Sequence, residues 1–153
     1  MSKLPPVLWS PDMTWLDLRC RCGKCNVHSD CWIQGNLDSV LQRSVLVVEE
    51  VERRTGQTQR LWVNSAVRCL AHNADQGGAR ASTHLSGRAL DLKPVACSPA
   101  ALFEAARKVR GDLSPDDEQR MGGLGLYHTF VHIDVRPYHA TKMGPSAPWR
   151  RGR

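Results

Sequence analysis

The segment Phe130-Val131-His132-Ile133-Asp134-Val135-Arg136 constrains the fold more than any other part of the chain. Apolar and polar residues alternate in it, and successive side chains of a strand point to opposite faces. Val131, Ile133 and Val135 therefore face one way, and His132, Asp134 and Arg136 the other. Such a strand needs an apolar core on one side and a polar cleft on the other, and Pro137 ends it. Arg88-Ala89-Leu90-Asp91-Leu92-Lys93-Pro94 has the same character, with Asp91 opposed to Leu90 and Leu92. A carboxylate within an apolar strand is costly unless it is paired or bound to a metal.

Helical periodicity supplies the layer that covers the apolar side. Leu37, Val40, Leu41, Val45, Val48 and Val51 recur at helical spacing, which predicts a helix from near Asn36 to Thr55, with Gly56 as its C-cap. Ser98-Pro99 opens a second helix, serine capping and proline in the first turn, that runs to about Arg110 and buries Leu102, Phe103, Ala106 and Val109. Residues 60–68 and 122–127 read as further strands, 73–82 as a glycine-containing loop and 111–121 as a polar loop. Helices and strands joined by short connections predict an α+β domain with a mainly antiparallel sheet and flanking helices. At 153 residues the chain fits one domain, residues 1–153, with an irregular N-terminal arm (1–19) and a basic C-terminal tail (138–153).

Charge and composition narrow the partners. The formal net charge is +6, which favours polyanions such as nucleic acid, anionic cell wall or lipopolysaccharide. The basic residues are scattered and no set of stacking aromatics accompanies them, which argues against nucleic acid. No apolar run approaches the ~20 residues of a membrane span, so stable membrane insertion is not expected, and the chain reads as a monomer. The N-terminus lacks an apolar stretch of signal-peptide type, so synthesis in the cytoplasm is the expectation, with delivery to any outside substrate by another agent.

His84, Asp91 and His132 are two histidines and a carboxylate that the strands can bring together, a ligand set used for catalytic zinc with one position open. Singly, each has an ordinary reading: a hydrogen-bonded surface histidine, or an aspartate paired with Arg88 or Lys93. Cys20, Cys22, Cys25 and Cys31, with His28 between them, offer enough ligands for a structural zinc. Free buried thiols, or a disulfide formed after release into an oxidising space, are the other readings of these cysteines.

Ser82-x-His84-x-x-Gly87-x-Ala89-x-Asp91-Leu92, followed by Phe130-Val-His-Ile-Asp-Val-Arg136, resembles the M15 family of zinc peptidases. This group contains D-alanyl-D-alanine carboxypeptidases and L-alanyl-D-glutamate endopeptidases and shares its fold with the Hedgehog signalling domain. The resemblance spans roughly residues 17–137 and takes in the cysteine-rich loop, Ser65-x-x-Arg68, and Asn73 with Gly77-Gly78. It implies zinc held by His84, Asp91 and His132, and Arg68 holding the substrate carbonyl or carboxylate. Many relatives carry an acid three residues before the last ligand as general base; Thr129 stands there. Asp134 is the preferred substitute, as base or as a group orienting a ligand histidine, and His128 is the next. The implied function is peptidoglycan peptide hydrolysis in the manner of phage lysis or virion-associated enzymes, which reach the wall through a holin or from a virion. A non-catalytic Hedgehog-like binding module is the alternative.

Overall fold

A computed structural model describes residues 3–113 and 121–136 and the backbone of 149–150. The acidic stretch 116–118 and most of the basic tail lie outside the described residues. The elements in order are β1 (Val7–Leu8), α1 (Cys31–Thr55), β2 (Leu61–Ser65), α2 (Leu70–Asp75), β3 (Ala89–Pro94), α3 (Pro99–Asp112), β4 (Leu124–Leu126), β5 (Val131–Asp134) and β6 (Trp149–Arg150). They form one six-stranded sheet in the order β1-β2-β3-β5-β4-β6, antiparallel except for the β4–β6 pair. Helices α1 and α3 pack on each other and on the sheet. This is the expected α+β architecture. No described helix is long and apolar enough to cross a membrane.

The register sorts the two faces. Val63, Leu92, Val131 and Leu126 form one row across β2, β3, β5 and β4, and Leu90, Ile133 and Leu124 form the next. Residues directly opposite in antiparallel strands share a face, so both rows meet Leu37, Val40, Val47, Leu102, Phe103 and Ala106 in the core. The intervening row is Ser65, Asp91, His132 and Gly125, and beside it Ala89 lies opposite Asp134. The polar row is therefore placed by the same alternation that builds the core. Phe103 is 1% exposed. Phe103→Ala is expected to destabilise the fold by ~3–5 kcal/mol, read from urea unfolding; a loss under ~1 kcal/mol would mean that the core closes over the vacated space.

Several boundaries differ from the sequence reading, each for a local reason. Helix α1 starts five residues before Asn36, because the Asp30 side chain accepts the backbone N–H of Trp32 (2.9 Å) and Ile33 (3.0 Å) as an N-cap. Its first turn exposes Trp32 (58%), so no apolar periodicity announces it. Val45 is only half-buried and Val47 takes its place in the core. Ser98 caps α3 as expected, its Oγ accepting from Ala101 N–H at 3.1 Å, and α3 runs on to Asp112. The N-terminal arm is not irregular throughout, since β1 pairs with β2. Strand β2 stops at Ser65, where the register with β3 slips between Val63 and Ser65. Residues 66–69 thus leave the sheet, and α2 occupies the start of the expected loop.

Candidate metal centre

Ser82 caps a 3-10 turn at Thr83–Ser86 that carries His84, and Gly87 closes it. The turn lays His84 over the polar row of the sheet, against Asp91 from β3 and His132 from β5. His84, Asp91 and His132 are all buried, with one ligand atom from each within 4.8 Å of the others. His84 Nε2 lies 3.1 Å and His132 Nδ1 3.0 Å from the same oxygen, Asp91 Oδ1. The imidazole rings stand at 73° with centroids 5.1 Å apart.

The surrounding bonds fix which nitrogens face inward. His84 Nδ1 lies 2.5 Å from the carbonyl oxygen of Ala66. A carbonyl only accepts, so Nδ1 carries the proton and Nε2 a lone pair. That lone pair is buried, has no hydrogen-bond donor, and faces a carboxylate oxygen. Burial also pushes the His84 pKa down, against protonation of Nε2. Two buried acceptors at 3.1 Å make a position that a cation would satisfy. Burial by itself would raise the Asp91 carboxyl, but His84 and His132 outweigh it and hold it well below the usual range. The donor set of nitrogen, oxygen and nitrogen fits zinc.

His132 is held from behind. Its Nε2 lies 2.9 Å from Asp134 Oδ2. Asp134 is itself fully buried and accepts from Gly123 N–H (2.8 Å), Thr83 Oγ1 (3.3 Å) and Arg136 Nε (2.9 and 3.0 Å). Burial would raise the Asp134 carboxyl, yet His132 and Arg136 keep it well below its ordinary value. Burial would lower His132, and its bonds to Asp134 and Asp91 carry it up to about 9 instead. This is a carboxylate–histidine pair with the other ring nitrogen directed at the metal position.

Arg68 sits in the connection beyond β2, its N–H bound to His84 O at 2.9 Å. Its guanidinium donates to Ser65 Oγ (2.9 Å), Asn73 Oδ1 (3.3 Å) and Asp91 Oδ2 (3.1 Å). Neither Arg88 nor Lys93 is the partner of Asp91: Arg88 lies over the Trp32 ring, 5.1 Å from its centroid, and Lys93 is exposed.

A cleft of about 510 Å³ opens on His84, Asp91 and His132, lined also by Arg68, Arg136 and the 76–79 loop. Asn73 builds that loop, donating to Ala79 O at 2.9 Å and accepting Gly78 N–H on its backbone oxygen at 2.9 Å. A Cβ on Gly78 would collide with the Asn73 side chain, which explains the glycine there. The other wall holds Tyr127 and Phe130, stacked 4.3 Å apart at 7°. Sequence reading missed this pair, and its only signal was two aromatics three residues apart beside a candidate ligand. Asp134 is behind the ligands and not in the cleft lining. His128 lies in an exposed bend and does not line the cleft, so it is not on the face of His132. Asp91 is the only carboxylate among the described residues that line the cleft.

Residues 13–134 match the family model described as Peptidase M15. No curated protein and no solved structure matches the chain.

Proposed function

Since the chain belongs to the peptidase M15 family, a family of metallopeptidases, we propose that it is a zinc peptidase hydrolysing an amide bond in the peptide stem or cross-link of bacterial peptidoglycan. The observation that carries the reading is the orphaned lone pair of His84 Nε2 facing Asp91 Oδ1, with His132 Nδ1 on the same oxygen. His84 Nε2, an Asp91 oxygen and His132 Nδ1 would hold the zinc. When bound, zinc supplies a Lewis acid that polarises the scissile carbonyl and makes water nucleophilic at neutral pH.

The chain's own residues do the rest. Arg68 presents a fixed, permanently charged donor group to the substrate oxyanion or a terminal carboxylate. The Tyr127–Phe130 wall excludes water from one side of the substrate. Asp134 acts on His132, fixing the ring so that Nδ1 faces the metal, and is a positioning residue rather than the proton acceptor. The biological setting we propose is a phage lysis or virion-associated enzyme, and the net charge of +6 suits an anionic wall. Mass spectrometry of purified peptidoglycan after incubation is the test. New amine and carboxyl termini within the peptide are expected; intact peptide with a zinc-loaded protein would overturn the reading.

One observation favours a second reading, a zinc-containing binding module that does not cleave. Among the described residues that line the cleft, none other than Asp91 carries a carboxylate, and Thr129 is exposed. Wall binding without new termini, by a zinc-loaded chain, is the outcome it expects.

Asp134→Asn distinguishes positioning from proton transfer. Zinc affinity should fall ~10–100-fold, measured by chelator competition, and hydrolysis at saturating zinc should stay within a few-fold of wild type. Intact affinity with turnover down ~10²–10⁴ would make Asp134 the base instead. His128→Ala, at an exposed bend, should leave both quantities unchanged.

A further inference from the structure

Six cysteines are present, and the peptidase reading uses none of them. The structure gathers four. One sulfur from each of Cys20, Cys22, Cys25 and Cys69 lies within 4.8 Å of the others. Cys31, the fourth member that sequence spacing suggests, is exposed at the start of α1 and stands outside the group, as does His28, whose ring stacks on Trp15. The fourth thiol comes instead from Cys69, 49 residues from Cys20.

We infer that Cys20, Cys22, Cys25 and Cys69 form a structural zinc site that clamps the N-terminal cysteine loop to the segment carrying Arg68. Zinc–sulfur bonds of ~2.3 Å in a tetrahedron put the sulfurs ~3.8 Å apart, and Cys20 Sγ and Cys69 Sγ are 3.9 Å apart. Cys22-Gly23-Lys24-Cys25 turns tightly, with Gly23 at φ 74° and its N–H on Cys20 O at 3.2 Å. The left-handed residue returns the chain so that both flanking thiols face Cys69. Two sulfurs already accept backbone N–H groups: Cys20 Sγ from Cys69 at 3.4 Å and Cys69 Sγ from His72 at 3.4 Å. Four thiolates with one zinc leave a charge of −2, and Arg19, Arg21, Lys24 and Arg68 neighbour the ligands in sequence. Arg21 is buried there, donating to Pro5 O (3.0 Å) and Asp17 O (2.8 Å), which gathers the arm around the cluster.

Cys69 follows Arg68 directly and caps α2, which leads into the 76–79 wall of the cleft. The site would thus fix the wall opposite the aromatic pair. The metal assignment stands apart from the peptidase reading; only this positional consequence rests on it.

Full-length protein purified under reducing conditions without added metal tests the inference by zinc content and by cobalt substitution. Two zinc ions per chain are expected, and cobalt should give an intense sulfur-to-metal charge-transfer band. His84→Ala should lose one zinc and keep the band. The double variant C22S/C25S should lose one zinc and the band, and Cys97→Ser should change neither. Should the double variant not fold, thiol counting on native wild type decides. Two of the six thiols (Cys31 and Cys97, the remainder after four) should react before a chelator is added, and all six after. Absence of the cobalt band in wild type, six thiols reactive without chelator, or a Cys20–Cys69 disulfide in protein alkylated at lysis would each overturn the site. These readouts report sulfur ligation, so a protein without peptidase activity that retains the band refutes the peptidase reading alone.

Discussion

His84→Ala and Asp91→Ala should each remove one equivalent of zinc relative to wild type and abolish wall hydrolysis, and the second should weaken the metal-free fold more than the first. His84 contributes one buried hydrogen bond, Nδ1–H to Ala66 O, while its Nε2 has no donor. Asp91 is the anion on which His84, His132 and Arg68 all converge, at 3.1, 3.0 and 3.1 Å. Its removal leaves the half-buried Arg68 guanidinium and the His132 ring without the counter-charge they share, with Asp134 still paired to His132. Breaking a buried pair in this way typically costs ~3–5 kcal/mol, since Asp91 and His132 side chains are only 7% and 8% exposed. Elemental analysis gives the first quantity and urea unfolding in excess chelator the second. Wild-type zinc content in both variants would refute the assignment of the ligands.

Arg68→Lys should keep the fold and both metals and lose ~10²–10³ in turnover. Lysine preserves the charge but not the planar fork. Every arm of that fork is engaged here, with Nε held by Ser65, one terminal nitrogen by Asn73 and the other by Asp91. A single ammonium cannot satisfy three acceptors in three directions and still face the cleft. Initial rates on purified wall, beside zinc content and a thermal melt, check this. Turnover within a few-fold of wild type would place Arg68 away from the reacting centre and leave it a role in anchoring Asn73.

The features legible in the sequence were those written locally. Strict alternation at 130–136 gave β5, its two faces and the position of His132. The Ser98-Pro99 pair gave the start of α3, and Gly56 the end of α1. Asp91 and His132 stood out because a polar residue within an apolar strand is conspicuous, whereas His84, on a 3-10 turn, joined them only through the resemblance of its motif to a known family. What sequence reading missed depends on segments far apart meeting in space. Nothing near Cys69 says that it, and not Cys31, completes the cysteine cluster. His128 lies two residues before Phe130, yet the chain bends between Tyr127 and Phe130, closed by Tyr127 N–H on Phe130 O at 3.0 Å, and carries it into solvent. The bonds that surround Asp134, from Gly123 N–H, His132 and Arg136, were likewise not legible in the sequence, because they join separate parts of the fold.

The alternation of β3 has a consequence for how such a chain can change over generations. Leu90 and Leu92 belong to the core while Asp91 belongs to the polar row, and β3 sits between two paired neighbours that fix its register. Inserting or deleting a single residue within it would exchange the two faces at once. A leucine would then stand where the carboxylate stood, and the carboxylate would enter the apolar layer. One such event therefore removes a ligand and damages the core together, leaving no intermediate that loses function while remaining folded. Length changes are thus excluded from β3, which can vary only by substitution.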